Sequence, residues 1–288
     1  MRSVVAIPGV AAEVQVAVPA WGSRPAGIGM AGFRGRADHA VEMRMVPYPA
    51  LTIFIDFGSA GLILDAGGES RRGSAVVGLA PGTLRAECGR EADCLQIRLS
   101  PVVAHTMLGD GADSSGAVLS LEDLWGREAG RIQERLHATR SWDERFALAA
   151  EALARRSATG RAVDPEIGFV WQRMVANRGR VRVERLADEV GWSRKRLWAR
   201  FGAQIGLSPK RAAKLIRFDH VAHRLAAGHS VASVAVESGF ADQSHLHRDA
   251  MSFAGLTPAG VAGAPWLAVD GVAWSPAMPR SARRRVES

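Results

Sequence analysis

Residues 183–209 and 231–258 repeat one pattern, and this repeat constrains the fold more than any other feature of the sequence. The first copy reads VERLADEVGWSRKRLWARFGAQIGLSP, and the second reads VASVAVESGFADQSHLHRDAMSFAGLTP, with one additional residue after its Gly-Phe pair. Both copies place Gly before an aromatic residue and close on Gly-Leu-Ser-Pro or Gly-Leu-Thr-Pro. A repeat of this length marks one recurring structural unit, so we expect the same fold twice.

Each copy predicts a short amphipathic helix, a glycine turn and a second amphipathic helix. In the first copy Leu186, Val190, Leu197 and Phe201 can meet across the turn as a small core. Gly191 stands where a left-handed backbone is needed to leave the first helix. This is the helix-turn-helix arrangement. Between the two copies we predict a joining helix, which Pro209 begins and Gly228 ends.

The remainder of the chain differs in character from the repeat. Residues 41–100 contain short aliphatic runs separated by Gly, Pro and Asp, a pattern typical of a barrel or sandwich. Helical signals follow: Ser120 and Asp123 have capping-box spacing, and Ser141 is a candidate N-cap. The tail is rich in Pro, Ser and Arg, which favours disorder.

These patterns predict a multi-domain α+β protein. An N-terminal β-rich domain, barrel- or sandwich-like with trailing helices, takes residues 1–157. A linker with a first helix takes 158–177, and an all-α double helix-turn-helix domain takes 178–260. The segment 261–288 is expected to be a disordered basic tail.

The positive charge is concentrated in the repeat region. The chain has a formal net charge of +8, and residues 178–260 alone hold 14 Lys and Arg against 7 Asp and Glu. A localised basic excess is the footprint of a polyanionic partner, whereas an even distribution would indicate only solubility.

Two helix-turn-helix units joined by a long helix, with their Gly-Trp-Ser and Gly-Phe-Ala turns, resemble the AraC/XylS family of bacterial transcription regulators. The run ESGFADQSHLHRDAMSFAGLTP is similar to the C-terminal signature of that family. The resemblance covers roughly residues 178–260, while the β-rich part resembles the family's sensor or dimerisation domain more weakly. One departure is Ala250, where the family usually has a large apolar residue; we expect either that Phe253 or Met251 fills that space or that the second unit is packed more loosely.

The resemblance implies which residues of the first unit face DNA. Lys195, Trp198 and Ala199 match base-facing positions: Lys195 could read guanine, and the other two could contact thymine methyl groups. Arg194 and Arg196 flank them in the first turn of the recognition helix, where some of the cations should reach phosphates. The alternative for Trp198 is a role as a core aromatic residue.

In the second unit the same comparison implies that Gln243, Ser244, His247 and Arg248 face DNA. Glutamine can pair with adenine and arginine with guanine. Asp242 is a candidate N-cap of that helix. His245 and His247 face different sides of a helix, so we predict no metal site there.

Two other functions are compatible with parts of the sequence. An enzyme that repairs alkylated DNA through a reactive cysteine can carry such a DNA-binding module, and Cys88 does have Arg85 and Arg90 nearby. The Pro-Cys-His-Arg pattern of that family is absent from the sequence. A protein that coats DNA without sequence preference is disfavoured because the two recognition helices carry different polar residues.

We therefore predict a sequence-specific DNA-binding transcription regulator that is not an enzyme and needs no cofactor. Its expected partners are double-stranded promoter or operator DNA, with RNA polymerase, a small-molecule effector and a second copy of the chain as further candidates. No apolar run approaches the ~20 residues of a membrane span. The two cysteines, in C-x5-C spacing, fit a reducing cytoplasm.

Overall fold

The computed structural model describes residues 2–7, 12–20, 26–59, 61–80, 82–108, 116 and 118–274. Within them the strands lie between residues 2 and 120, and helices dominate the rest of the chain. The strands are β1 (Arg2–Ala6), β2 (Ala12–Ala17), β3 (Ile28–Ala37), β4 (Val41–Met45), β5 (Leu51–Asp56), β6 (Ile63–Ala66), β7 (Glu69–Arg72), β8 (Ala75–Val77), β9 (Leu84–Cys88), β10 (Glu91–Leu99) and β11 (Val118–Ser120).

The strands form two antiparallel sheets. The larger has the order β1-β2-β3-β10-β5-β8-β11, and the smaller has the order β4-β9-β6-β7. The sheet that contains β5 must be packed on both faces, because the β5 sequence, LTIFID, is mostly apolar and does not alternate with polar residues. Ile53 and Ile55 pack with the helices, while Phe54 packs between the sheets with Leu64 of β6. An uninterrupted apolar run fits a strand that is buried on both faces.

The helices in chain order are α1 (Pro101–Leu108), α2 (Leu121–Trp125), α3 (Arg127–Ala138), α4 (Trp142–Thr159), α5 (Pro165–Ala176), α6 (Val183–Glu189), α7 (Arg194–Ile205), α8 (Pro209–Ala226), α9 (Val231–Glu237), α10 (Gln243–Ala254), α11 (Pro258–Ala262) and α12 (Pro265–Ala273). The predicted fold class, a β-rich domain with trailing helices followed by a double helix-turn-helix domain, is confirmed.

Local capping signals place the helices that follow the sheets. The Asp123 amide donates to Ser120 Oγ at 3.0 Å, and the Ser120 amide donates to the Asp123 carboxylate at 3.1 Å, which completes the capping box. Ser141 Oγ accepts from the Glu144 amide and caps α4. Gly126, with φ of 55°, separates α2 from α3.

The prediction of a disordered tail over 261–288 is wrong for its first part. Residues 265–273 form α12, in which Pro265 takes the first helical position. Trp266 and Val269 are buried in the cluster between the sheets, where the ring of Trp266 lies 5.4 Å from that of Phe33. The Pro-, Ser- and Arg-rich composition of the segment hid this apolar spacing. Residues 275–288, which hold the Arg-rich end, lie outside the described residues.

Asp270 of α12 lies at one of the contacts between the β-rich domain and the helical domain. Its carboxylate is 1% exposed, pairs with Arg98 of β10 and lies 3.4 Å from His223 Nε2 of α8. The guanidinium of Arg98 lies over the rings of Tyr48, at 3.3 Å, and Trp274, at 4.1 Å. The β-rich domain, α8 and α12 thus share one buried polar cluster, which we call the Asp270 junction.

Two histidines of α8 respond to this environment in opposite ways. The hydrogen bond with Asp219 raises the pKa of His223, and the charge of Asp270 adds to that increase. Burial, followed by the charges of Arg178 and Arg224, lowers the pKa of His220. Protonation of His223 therefore stabilises the native state, whereas protonation of His220 destabilises it.

The dependence of the free energy of unfolding on pH should reflect these two opposite pKa shifts. The contribution of His223 is complete below the ordinary histidine pKa of ~6.5 and is lost as pH rises through the raised pKa. We expect His223→Gln to weaken the fall in stability above pH ~6.5. His220 has a lowered pKa, so its protonation destabilises the native state only as pH falls below ~6.5. His220→Gln should therefore leave the profile above that pH unchanged, which makes it the matched control. Urea unfolding across the pH range measures both, and an unchanged pH profile for His223→Gln would contradict the assignment.

Candidate nucleic-acid interface

The first helix-turn-helix unit consists of α6, the turn at Gly191 and α7. Gly191 has φ of 66°, the left-handed backbone that the sequence requires there. Leu186, Leu197 and Phe201 are buried across the turn, as predicted, and Val190 packs partly buried against them. Ser193 caps α7 by accepting from the Arg196 amide at 3.2 Å. This hydrogen bond satisfies one of the free amide groups in the first turn of α7.

The second unit, which consists of α9, the turn at Gly239 and α10, has the same glycine turn, buried core and N-cap. Gly239 has φ of 74°, and Val234 and Leu246 are buried in the unit's core. Asp242 is the N-cap of α10: its Oδ1 accepts from the His245 amide at 2.9 Å. The same hydrogen bond is the main reason that the pKa of Asp242 is lowered.

The closures of the two repeats also match. Gly206 and Gly255 end α7 and α10 in the left-handed conformation. Ser208 then caps α8 and Thr257 caps α11, each followed by a proline in the first helical position. The 18-residue α8 therefore starts at the end of one unit and leads into the other.

All nine residues that the sequence assigned to DNA are exposed at the surface. In the first unit these are Arg194, Lys195, Arg196, Trp198 and Ala199, and in the second Gln243, Ser244, His247 and Arg248. Trp198 is 43% exposed, so the alternative of a core aromatic residue does not hold. Their role toward DNA remains a prediction.

The three cations at the start of α7 are not equivalent. The guanidinium of Arg196 lies 4.3 Å from the ring centroid of Trp192, in the turn of its own unit. Arg194 Nη1 lies 3.9 Å from Glu184 of α6. Lys195 forms no ion pair with any described residue. Of the three, Lys195 is thus the side chain that the protein leaves unengaged.

The four residues of the second unit line one hollow. It has a volume of about 570 Å³ and is bounded by Val231 at the start of α9 and by the start of α11. Gln243, Ser244, His247 and Arg248 all contribute to its wall. The four polar residues that the resemblance assigned to DNA therefore share one concave surface.

Each unit is joined to a neighbouring helix by charged contacts that the sequence analysis did not predict. Asp249 of α10, which is 6% exposed, accepts from Lys214 Nζ at 2.9 Å and Arg217 Nη2 at 3.2 Å, both on α8. The spacing of Lys214 and Arg217, three residues apart on one helix face, is the signal that could have found this anchor. In the first unit, Arg173 of α5 instead pairs with Glu189 of α6 at 2.9 Å.

Of the alternatives for the departure at Ala250, the structure favours Phe253 as the residue that compensates for the small side chain. Phe253 is 3% exposed and stacks on Phe218 of α8, with ring centroids 5.4 Å apart. Met251 is 46% exposed and does not fill the space. The second unit keeps a packed core although its residue 250 is small.

The cysteines lack the chemistry that the repair hypothesis requires. Burial raises the pKa of Cys88 to about 11, and the charges of Asp56 and Glu87 add to the increase. Burial also raises the pKa of Cys94 well above its ordinary value. A thiol with a raised pKa is a poor source of the thiolate nucleophile. No cluster of His, Cys, Asp or Glu among the described residues could hold a metal ion.

Comparison with known proteins supports the interpretation of the repeat. Residues 186–262 match a family model described as a helix-turn-helix domain. No curated protein matches the chain. Within the described residues, no helix combines the length and the apolar character that crossing a membrane requires.

Three solved structures align with the chain at low sequence identity. ToxT from Vibrio cholerae has 11% identity and a TM-score of 0.48, with 83% of this chain and 99% of ToxT covered. The AraC-like transcriptional activator CuxR has 14% identity and a TM-score of 0.34, with 83% and 85% covered. The C-terminal domain of AraT, a response regulator from Geobacillus stearothermophilus, has 16% identity and a TM-score of 0.33, with 35% and 85% covered.

Because Lys195 forms no ion pair with any described residue, Lys195 and Arg200 of α7 should differ in their contribution to DNA affinity. We expect Lys195→Ala to weaken duplex DNA binding by about 1–3 kcal/mol, as for a side chain that contacts a base. Arg200→Ala removes the same charge from the same helix, but Arg200 holds Asp164 through two hydrogen bonds of 2.7 and 2.8 Å. It should therefore change affinity little. Fluorescence anisotropy with a labelled duplex measures both, and equal losses would show that only net charge matters.

Proposed function

We propose that this chain, by its C-terminal domain an AraC-family DNA-binding transcription regulator, reads an asymmetric DNA site with both recognition helices at once. The observation that carries this proposal is the repeated geometry: two capped helices, α7 and α10, present exposed first turns and are joined by one helix, α8. The N-terminal turn of a recognition helix is the part that reaches base edges in the major groove.

The length of α8 suits such a site. Its 18 residues span about 27 Å at 1.5 Å per residue. One turn of B-DNA is about 34 Å. Two recognition helices joined by α8 can enter successive major grooves on one face of the duplex. Bending of the DNA would make up the difference between the length of α8 and one turn of the duplex. A single chain would then protect two grooves without an internal palindrome.

Under this proposal, each of the two units contacts a different groove through its own exposed side chains. Lys195, Trp198 and Ala199 would face bases in one groove, and Gln243, Ser244, His247 and Arg248 in the other. Arg194 and Arg196 would supply phosphate contacts, which carry affinity but no direct sequence information. The different polar residues of the two units favour a specific site over uniform coating of DNA.

We further propose that the β-rich domain senses a small molecule or mediates dimerisation. An open groove of about 840 Å³ runs across the outer face of β1, β2, β3 and β10, with Gln15, Arg34 and Asp93 among its lining residues. This volume lies within the range of small-molecule sites, roughly 300–1,000 Å³. Activation of a promoter would add contact with RNA polymerase, whereas repression would require only occupancy of the DNA.

The experiment separates base reading from charge. A cognate site is first selected from a pool of randomised duplexes by binding to the full chain. We expect Arg248→Ala to lose about 1–3 kcal/mol on that site and to relax selectivity at one base pair, with little change on random DNA. Affinity should fall steeply with salt, since each phosphate contact adds about −0.9 to the slope of log K against log salt.

Arg131→Ala is the matched control, because it removes one exposed arginine from α3 of the β-rich domain. It should leave both selectivity and the salt slope unchanged. If Arg248→Ala weakened cognate and random binding equally, Arg248 would be a phosphate contact and not a base reader. If selection yielded no preferred sequence at all, site-specific regulation itself would be refuted.

A further inference from the structure

α12 lies beyond the matched helix-turn-helix region and packs back onto the β-rich domain. The family match ends at residue 262, whereas α12 begins at Pro265. α12 contacts β1, β2 and β4 on one side and α8 on the other. A helix in this position bridges the domain that would receive a signal and the helix that carries both DNA-reading units.

The apolar face of α12 is built into the β-rich domain. Trp266, Val269 and Ala273 are buried in the cluster that fills the space between the two sheets. At the end of the helix, the Trp274 ring approaches Gly29 of β3 so closely that a Cβ there would lie 2.7 Å from it. This close approach shows that the sheet is shaped to receive the end of α12.

The polar face of α12 makes the connection to α8. Asp270 is paired with Arg98, whose guanidinium is enclosed by the rings of Tyr48 and Trp274, and it also lies 3.4 Å from His223 Nε2. One buried carboxylate therefore contacts a strand of the β-rich domain and the helix that joins the two units. A buried charge held by two partners resists displacement because leaving either one unpaired is costly.

Other contacts between the domains leave the DNA-facing turns free. Arg44 Nη1 of β4 donates to the Gly255 carbonyl, at the C-terminal end of α10, at 3.1 Å. Arg211 Nη2, near the start of α8, donates to the Ala80 carbonyl at 3.4 Å. The reading residues at the N-terminal ends of α7 and α10 stay exposed. The bridged arrangement therefore leaves these residues accessible to solvent.

We propose that α12 is a coupling strap, and that Asp270 is the residue through which the β-rich domain fixes the position of α8. A change in the β-rich domain that displaces Arg98 would pull on Asp270, release His223 and loosen the second unit relative to the first. The link to DNA rests on the proposed function, whereas the mechanical link between Arg98, Asp270 and α8 does not.

The test uses the full chain with Asp270→Asn, which keeps the shape of the side chain and removes its charge. Hydrogen–deuterium exchange of residues 265–273 should accelerate by at least about tenfold, because a buried ion pair is broken. Affinity for the selected two-groove site should fall by about fivefold or more, within the range of couplings between linked sites. Affinity for a half-site that only one unit can occupy should not change.

Glu151→Gln is the matched control, since Glu151 pairs with Arg135 and Arg155 inside the β-rich domain. It should leave exchange in α12 and two-groove affinity as they are. If Asp270→Asn did not fold, as judged by circular dichroism, Trp274→Ala would replace it: this variant keeps the ion pair, uncovers Arg98 and should shift both measurements in the same direction.

The outcomes separate the strap from the proposed function. Unchanged exchange in α12 would overturn the strap, whatever the DNA affinity does. Faster exchange with unchanged two-groove affinity would overturn the coupling. If the wild-type chain bound no DNA, the proposed function would fail, while exchange would still decide whether Asp270 holds α12 in place.

Discussion

The fold of the C-terminal half depends on one constraint: a single continuous helix, α8, must hold two helix-turn-helix units at a fixed distance and rotation. Its buried face carries Leu215 and Phe218, neither of which is exposed. The second unit is bound to it through the stacking of Phe253 on Phe218 and through the buried Asp249. Apolar packing supplies most of the stability, while the charged pairs fix the rotation of α10 about α8.

The start of α7 shows how a helix can tolerate cations where its dipole disfavours them. Positive charge near a helix N-terminus costs a few tenths of a kcal/mol or more. Ser193 caps the helix, Arg196 lies on the ring of Trp192, and Arg194 lies near Glu184. These contacts offset part of the cost for two of the three cations. The remaining one, Lys195, has no such contact among the described residues, and under the proposed function the phosphates and bases of DNA would supply its partner.

The repeat made the C-terminal half predictable from sequence. Its glycine turns, serine and aspartate caps and prolines at first helical positions are local signals, and each occurs twice. Leu186, Leu197 and Phe201 lie on one side of their helices, so their common core followed from periodicity alone. The pairing of Asp249 was missed, because its partners lie 35 and 32 residues away on another helix and only their own three-residue spacing hints at a shared acceptor.

The β-rich half and the end of the chain were less predictable for physical reasons. Strand order depends on long-range pairing, such as that of β10 with both β3 and β5, which no local pattern encodes. α12 was missed because its environment is another domain: Trp266 is buried by Phe33, far away in sequence. Trp198, in contrast, lies between Leu197 and Phe201 in number but is turned from both by the helical period, and it is exposed.

The central claim, that both recognition helices bind DNA as one rigid body, is tested most directly by changing the spacing of the site. Half a turn of B-DNA, about 5 base pairs, inserted between the two half-sites would rotate one of them to the opposite face of the duplex. A rigid α8 predicts that affinity then falls to that of a single half-site. Full affinity for the lengthened site would show that the two units bind independently, and would contradict the account.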